Sequence, residues 1–148
     1  MKHTLRHLSS ALLLTGGILC SQNLWACERP VVYGYDDIDC LSEGLARIER
    51  DGKYGFIDNT GQVVIPPKYD LAWDFSEGLA RVSQNGKYGF IDKTGKVVIP
   101  LKYDKADSFY NGVAGVLDHS TGEAFYINRQ GERLYWLGEP KFSGFNRE

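Results

Sequence analysis

An all-β fold, a short array of tandem antiparallel β-hairpin and meander units, is what this 148-residue chain predicts, and three observations carry the prediction. The segment GKYGFIDNTG at 52–61 returns as GKYGFIDKTG at 86–95, 34 residues later. Asp51-Gly52 and Asn85-Gly86, dipeptides suited to a tight type I′ turn, each separate two short runs rich in β-forming residues. Gly44, Gly78 and Gly112 fall on the same period, as do Ala46, Ala80 and Ala114. A fixed period of this length signals a repeat architecture and changes what each residue is for.

The segment before the repeats, residues 1–26, reads as a secretory signal peptide. Lys2 and Arg6 precede an apolar stretch from Leu8 to Leu19, and the polar SQNLWA leads to Cys27. The stretch is too short for a permanent transmembrane helix. ALLLTGGIL also lacks the polar stripe of a helix lying on a core. The expectation is export to the periplasm or cell exterior, with no integral membrane span after cleavage. LWAC admits an alternative, a lipoprotein anchored at Cys27. Bulky Trp25 and the polar SQN upstream argue against it.

Cleavage leaves about 120 residues, enough for one modest domain with a real core. Losing Lys2 and Arg6 brings the net charge to about −4, which argues against nucleic acid and against docking on a membrane through a basic patch. Cys27 and Cys40 are the only cysteines beyond the signal, in a compartment that favours oxidation. A bridge between them is expected, stabilising by about 3 kcal/mol on the loop-entropy model. Two cysteines and the single remaining histidine, His119, are too few for a zinc site. No metal or cofactor is expected.

Residues 27–41 form a partial unit, in which Tyr35 and Asp36 match Tyr69 with Asp70 and Tyr103 with Asp104. Full copies follow at 42–75 and 76–109, a degenerate copy at 110–136 with two extra residues in its first turn, and a tail at 137–148. Within a copy, LARIER and KYGFID pair through the two-residue turn. A second turn follows at DNTG or DKTG, where Asp accepts a local hydrogen bond and Gly takes left-handed dihedrals. QVVIPP or KVVIPL then gives a third strand, ended by proline.

The turn fixes the register: Arg50 faces Lys53, Glu49 faces Tyr54, Ile48 faces Gly55, Arg47 faces Phe56 and Ala46 faces Ile57. Side chains alternate between faces. One face therefore carries Ala46, Ile48, Gly55 and Ile57, and the other Arg47, Glu49, Tyr54 and Phe56. Gly55 and Gly89 sit in mid-strand, where glycine weakens a sheet. The expectation is a hollow there, filled by an aromatic of the connecting segment YDLAWDF or YDKADSF.

These residues resemble the WG repeat, also called the KWG repeat, of bacterial proteins. Its pattern combines an FxEGLA strand, a GKWG hairpin, an IDxTGxVVIP segment and a YDxAxxF connector, and the likeness covers residues 35 to about 136. Tyr54 and Tyr88 stand where that family typically has tryptophan, and Ala124-Phe125 replaces the aromatic-glycine pair of the third copy. The resemblance implies an all-β hairpin array and interaction rather than catalysis, and it brings no catalytic set and no common ligand.

The residue inventory points the same way. His119 lies in the expanded turn HSTG, where a solvated histidine is the simpler reading than a general base. Asp36, Asp37 and Asp39 are close enough in sequence to raise glycan processing by paired carboxylates. Asp36, however, recurs as Asp70 and Asp104, which marks it as a residue that maintains the repeat. The expected function is a non-catalytic protein-interaction module of the bacterial envelope, with an unidentified protein partner. A periplasmic inhibitor or immunity protein is the alternative. Arg47, Tyr54, Arg81 and Tyr88 are the candidate binding residues, since arginine and tyrosine are enriched at binding hot spots. Replacing both arginines by serine is expected to leave the fold intact.

Overall fold

The computed structural model describes residues 27–135; residues 1–26, the expected signal segment, and the tail 137–148 lie outside the described residues, with Trp136. All regular structure described is strand, as expected. Among the described residues, twelve strands form three antiparallel four-stranded sheets. The first sheet holds β1 (Asp37–Ser42), β2 (Leu45–Arg50), β3 (Lys53–Asp58) and β4 (Val63–Tyr69), in that order. The second holds β5 (Leu71–Ala72), β6 (Leu79–Gln84), β7 (Lys87–Asp92) and β8 (Val97–Tyr103). The third holds β9 (Lys105–Ala106), β10 (Val113–Asp118), β11 (Glu123–Asn128) and β12 (Arg133–Leu134). Counted by sheets, a unit begins inside what the sequence presents as a connector, because Leu71 and Ala72 pair with Ser83 and Val82.

The central hairpins follow the expected register, Arg50 facing Lys53 and Ala46 facing Ile57, with the same pairing from Gln84 and Lys87 to Ala80 and Ile91. Asp51 and Asn85 both stand at φ 53°, and Gly52 and Gly86 follow at 69° and 73°, as a type I′ turn requires. A second family of tight turns joins the outer strand to the hairpin. There Glu43, Glu77 and Asn111 take positive φ ahead of Gly44, Gly78 and Gly112.

Two expectations are corrected. The third strand does not end at its prolines: β4 runs through Pro66 and Pro67 to Tyr69, which pairs with Tyr54. It is the edge of its sheet, where a residue without an N–H costs no ladder bond. Register shifts on both sides of Phe56 mark a bulge in this edge. The bulge also explains the mid-strand glycines. A Cβ on Gly89 would stand 2.6 Å from the Ile99 carbonyl oxygen and 2.8 Å from the Leu101 nitrogen, and one on Gly55 would collide with the Ile65–Pro67 backbone. The edge strand's own backbone occupies the space, not an aromatic ring from the connector.

Both faces of the first two hairpins are packed. Leu45, Phe56 and Ile65 of the first sheet share an apolar layer with Ala80, Val82 and Ile91 of the second. Leu79, Phe90 and Ile99 of the second sheet share the next layer with Ala114, Val116 and Ile127 of the third. The sheets therefore stack face to face, each burying a surface that a lone hairpin would expose to water. Connector aromatics close each layer: Phe75 meets Phe56, and Phe109 meets Phe90, both edge to face at 4.8 Å. The remaining face of the first sheet, Ala46, Ile48 and Ile57, packs against Val32, Tyr35, Ile38 and Leu41. The expected Cys27–Cys40 disulfide fastens the chain before β1 to that strand, with the two Cα atoms 5.2 Å apart.

Candidate binding face

Alternation along β2 and β3 puts Arg47 and Tyr54 on the face that carries Phe56, and that face meets the second sheet rather than open solvent. The chemistry of the row follows from this placement. Arg47 Nη1 donates to the Ala72 carbonyl at 2.6 Å, crossing from β2 to β5 of the next sheet. Its Nε donates to Asp39 Oδ2 at 2.7 Å, and its guanidinium lies 5.4 Å from the centre of the Tyr54 ring. A hydrogen bond with Glu49, burial and the Glu49 charge raise the Tyr54 phenol above its ordinary range. Asp74 stands beside this group; burial pushes its carboxyl up, the Arg47 charge opposes the shift and Asp39 adds to it.

The second row repeats the first with a change. Arg81 Nη1 donates to the Ala106 carbonyl of β9 in the third sheet. Trp73 takes the place of Asp39, so the Arg81 guanidinium stacks 3.6 Å from the Trp73 ring centre. That ring in turn lies 5.8 Å from Tyr88. Burial lowers the pKa of the Arg81 guanidinium, and its Nε is buried with no hydrogen-bond partner among the described residues. Tyr54, Trp73, Tyr88 and both arginines stay half-buried, so the aromatic rings keep accessible surface along the line where sheets meet. Of the four candidate binding residues, the two arginines thus each tie one sheet to the next.

Most other repeated polar residues also join neighbouring units. Asp36, Asp70 and Asp104 accept from the turn amides of Asp51, Asn85 and His119 at 2.7, 2.7 and 2.8 Å. Lys53 and Lys87 reach Asp70 and Asp104 at 2.5 and 2.6 Å, and these contacts hold both carboxyls below the usual range. Ser42 and Ser76 hydroxyls donate to the Phe75 and Phe109 carbonyls at 2.9 and 2.8 Å. Glu43 accepts from the Gly78 amide at 3.0 Å and Glu77 from the Gly112 amide at 2.8 Å. Lys93 adds a 3.1 Å ion pair to Glu43. Asp58 and Asp92 hold their own turns, each accepting from the threonine two residues on, whose hydroxyl bond is the chief cause of their lowered pKa.

Sequence reasoning missed Trp73 and the glutamates, and it raised Asp39 only as a paired carboxylate, not as the partner of Arg47. Trp73 was findable as a break in the period, since Asp39, Trp73 and Asp107 occupy one position. Glu43 and Glu77 carry little local signal, because glutamate is a poor residue for positive φ and is held there by bonds to a distant unit. Among the described residues, no group of three or more potential metal ligands converges, and no helix is long and apolar enough to cross a membrane.

A family model described as the WG containing repeat matches three consecutive stretches, residues 33–54, 54–88 and 88–118, which together span more than half of the chain. No curated protein and no solved structure matches it.

Proposed function

We propose that this chain, which belongs to the WG-repeat family, is an exported, non-catalytic protein-interaction module of the bacterial envelope. The observation that carries the proposal is the division of labour along the stack. The repeated arginines, aspartates, serines and glutamates are spent on joining units, while the rings of Tyr54, Trp73 and Tyr88 retain surface in a repeated row. Half-exposed aromatics held rigid by neighbouring guanidinium groups suit protein recognition, because little side-chain entropy is left to lose on binding. Export rests on the leader sequence, and the Cys27–Cys40 bridge agrees with an oxidising compartment.

The test is crosslinking capture from a periplasmic fraction, comparing wild type with a Tyr54→Leu, Tyr88→Leu variant that keeps apolar bulk and removes the rings. Capture of a discrete partner at a level at least tenfold above the variant supports the reading. Equal capture by both proteins, or hydrolysis of a glycan by the wild type, would refute it.

A further inference from the structure

The third sheet presents a face whose counterparts in the first two sheets are buried. Tyr126 pairs with Gly115 as Phe56 pairs with Arg47 and Phe90 with Arg81. Leu134 pairs with Tyr126 as Ile65 pairs with Phe56. Leu45, Phe56 and Ile65 are at most 7% exposed, and so are Leu79, Phe90 and Ile99, yet Val113, Tyr126 and Leu134 are only half-buried. The groups that tie on a following unit are also replaced here. Tyr110 stands for Ser76, Asn111 for Glu77 and Gly115 for Arg81. The face keeps its apolar character and loses the chemistry that holds another unit of the same kind.

The two buried faces show what covers such a surface. Sixteen and nineteen residues beyond Phe56 come Ala72 and Phe75, and the same offsets beyond Phe90 give Ala106 and Phe109. All four belong to the apolar layer on that face. Counted from Tyr126, the offsets reach Phe142 and Phe145. A phenylalanine thus recurs where Phe75 and Phe109 recur, and the alanine is enlarged to phenylalanine. The sheet opposite changes in the complementary sense: Gly115 replaces an arginine, Ala124 replaces Tyr88 and Val113 replaces Leu79. Small residues facing large ones is how a packed layer conserves its volume.

We infer that the outer face of the third sheet is the docking surface for the chain's own residues 136–148, with Phe145 meeting Tyr126 as Phe109 meets Phe90, and Phe142 entering the space that Gly115 leaves. The stack is then closed by its own last connector and offers no open apolar end to a second copy.

Hydrogen exchange on the full-length protein tests this, with wild type compared with a Phe142→Ser, Phe145→Ser variant. Peptides covering β10 and β11 should exchange at least tenfold faster in the variant, β2 and β3 should not change, and the variant should bind several-fold more of an apolar-surface dye. Should protection fall throughout, the milder Phe145→Leu is read in the same way, and loss confined to β10 and β11 is the expected result. Unchanged exchange in these strands would overturn the inference. So would a wild type that dimerises, with β10 and β11 protected only as protein concentration rises, because a second copy would then be the occupant.

Discussion

The two junctions of the stack solve one problem with different partners. At the first, Arg47 bonds the Ala72 carbonyl and Asp39 satisfies its Nε; at the second, Arg81 bonds the Ala106 carbonyl and stacks on Trp73 instead. The bond that crosses between sheets is common to both, and what lies against the outer side of the guanidinium varies. Tyr54 follows the same division, with Glu49 opposite it on β2 raising its pKa where Tyr88 has the Trp73 ring. The inward half of each row is therefore fixed by stacking. The outward half is free to differ, and it is where the proposed recognition of a partner would be encoded.

The comparison assumes that both sheets are built alike, and the largest expected effect checks this. Gly55→Val and Gly89→Val should each cost about 3 kcal/mol, because the new side chain drives into the backbone of an edge strand that cannot rotate away. Gly86→Ala, a substitution at positive φ with open space around it, should cost only about 1 kcal/mol. Urea midpoints rank the three. A Gly89→Val loss no larger than that of Gly86→Ala would mean that the bulge gives way and the sheets are not equivalent.

Breaking the stitch itself comes next. Arg47→Ser and Arg81→Ser each remove a charge-assisted bond to a carbonyl, worth about 1.5 to 3 kcal/mol. Arg81 should lie at the upper end, since it also gives up its stack on Trp73. Chemical denaturation of the single variants gives the order, and a larger loss at Arg47 would reverse this account of the two junctions.

Trp73→Asp sharpens the comparison by rebuilding the second junction as the first. Arg81 Nε gains an acceptor while the ring contact with Tyr88 is lost, so stability should stay within about 1 kcal/mol of wild type. A shift well beyond that in thermal melts would show that the rows are not interchangeable.

The smallest effect concerns acid. Asp58, Asp92, Asp70, Asp104 and Asp118 all have folded pKa values below the ordinary carboxylate value. Their stabilisation is complete above about pH 4 and drains away as pH falls through the lowered folded values. Both junctions contribute a lysine-paired aspartate, so Asp70→Asn and Asp104→Asn should each flatten the acid limb of a pH-stability curve to a similar degree. A limb unchanged in both variants would remove these carboxylates from the account.

Much of this was legible in the chain. Asp51-Gly52 and Asn85-Gly86 fix a two-residue turn, and with it every pair from Arg50 and Lys53 to Ala46 and Ile57. The stacking was less legible, because whether the Phe56 face meets water or another sheet depends on contacts between residues far apart in sequence. That is why Arg47 was legible as a candidate binding residue but not as a tie between sheets. Gly55 announced itself as anomalous, but its cause, a bulge in a strand carrying Pro66 and Pro67, needs the edge strand's backbone in place. Leu71 and Ala72 form a strand of two residues, too short for any periodic signal.

The claim on which the rest depends is that the repeated arginines hold the stack while the tyrosine rings face a partner. Urea unfolding of Arg47→Ser, Arg81→Ser beside Tyr54→Leu, Tyr88→Leu tests it most directly. The arginine pair should lose about 3 to 6 kcal/mol and at least twice what the tyrosine pair loses. An arginine pair that unfolds at the wild-type midpoint, with the tyrosine pair collapsing, would contradict it.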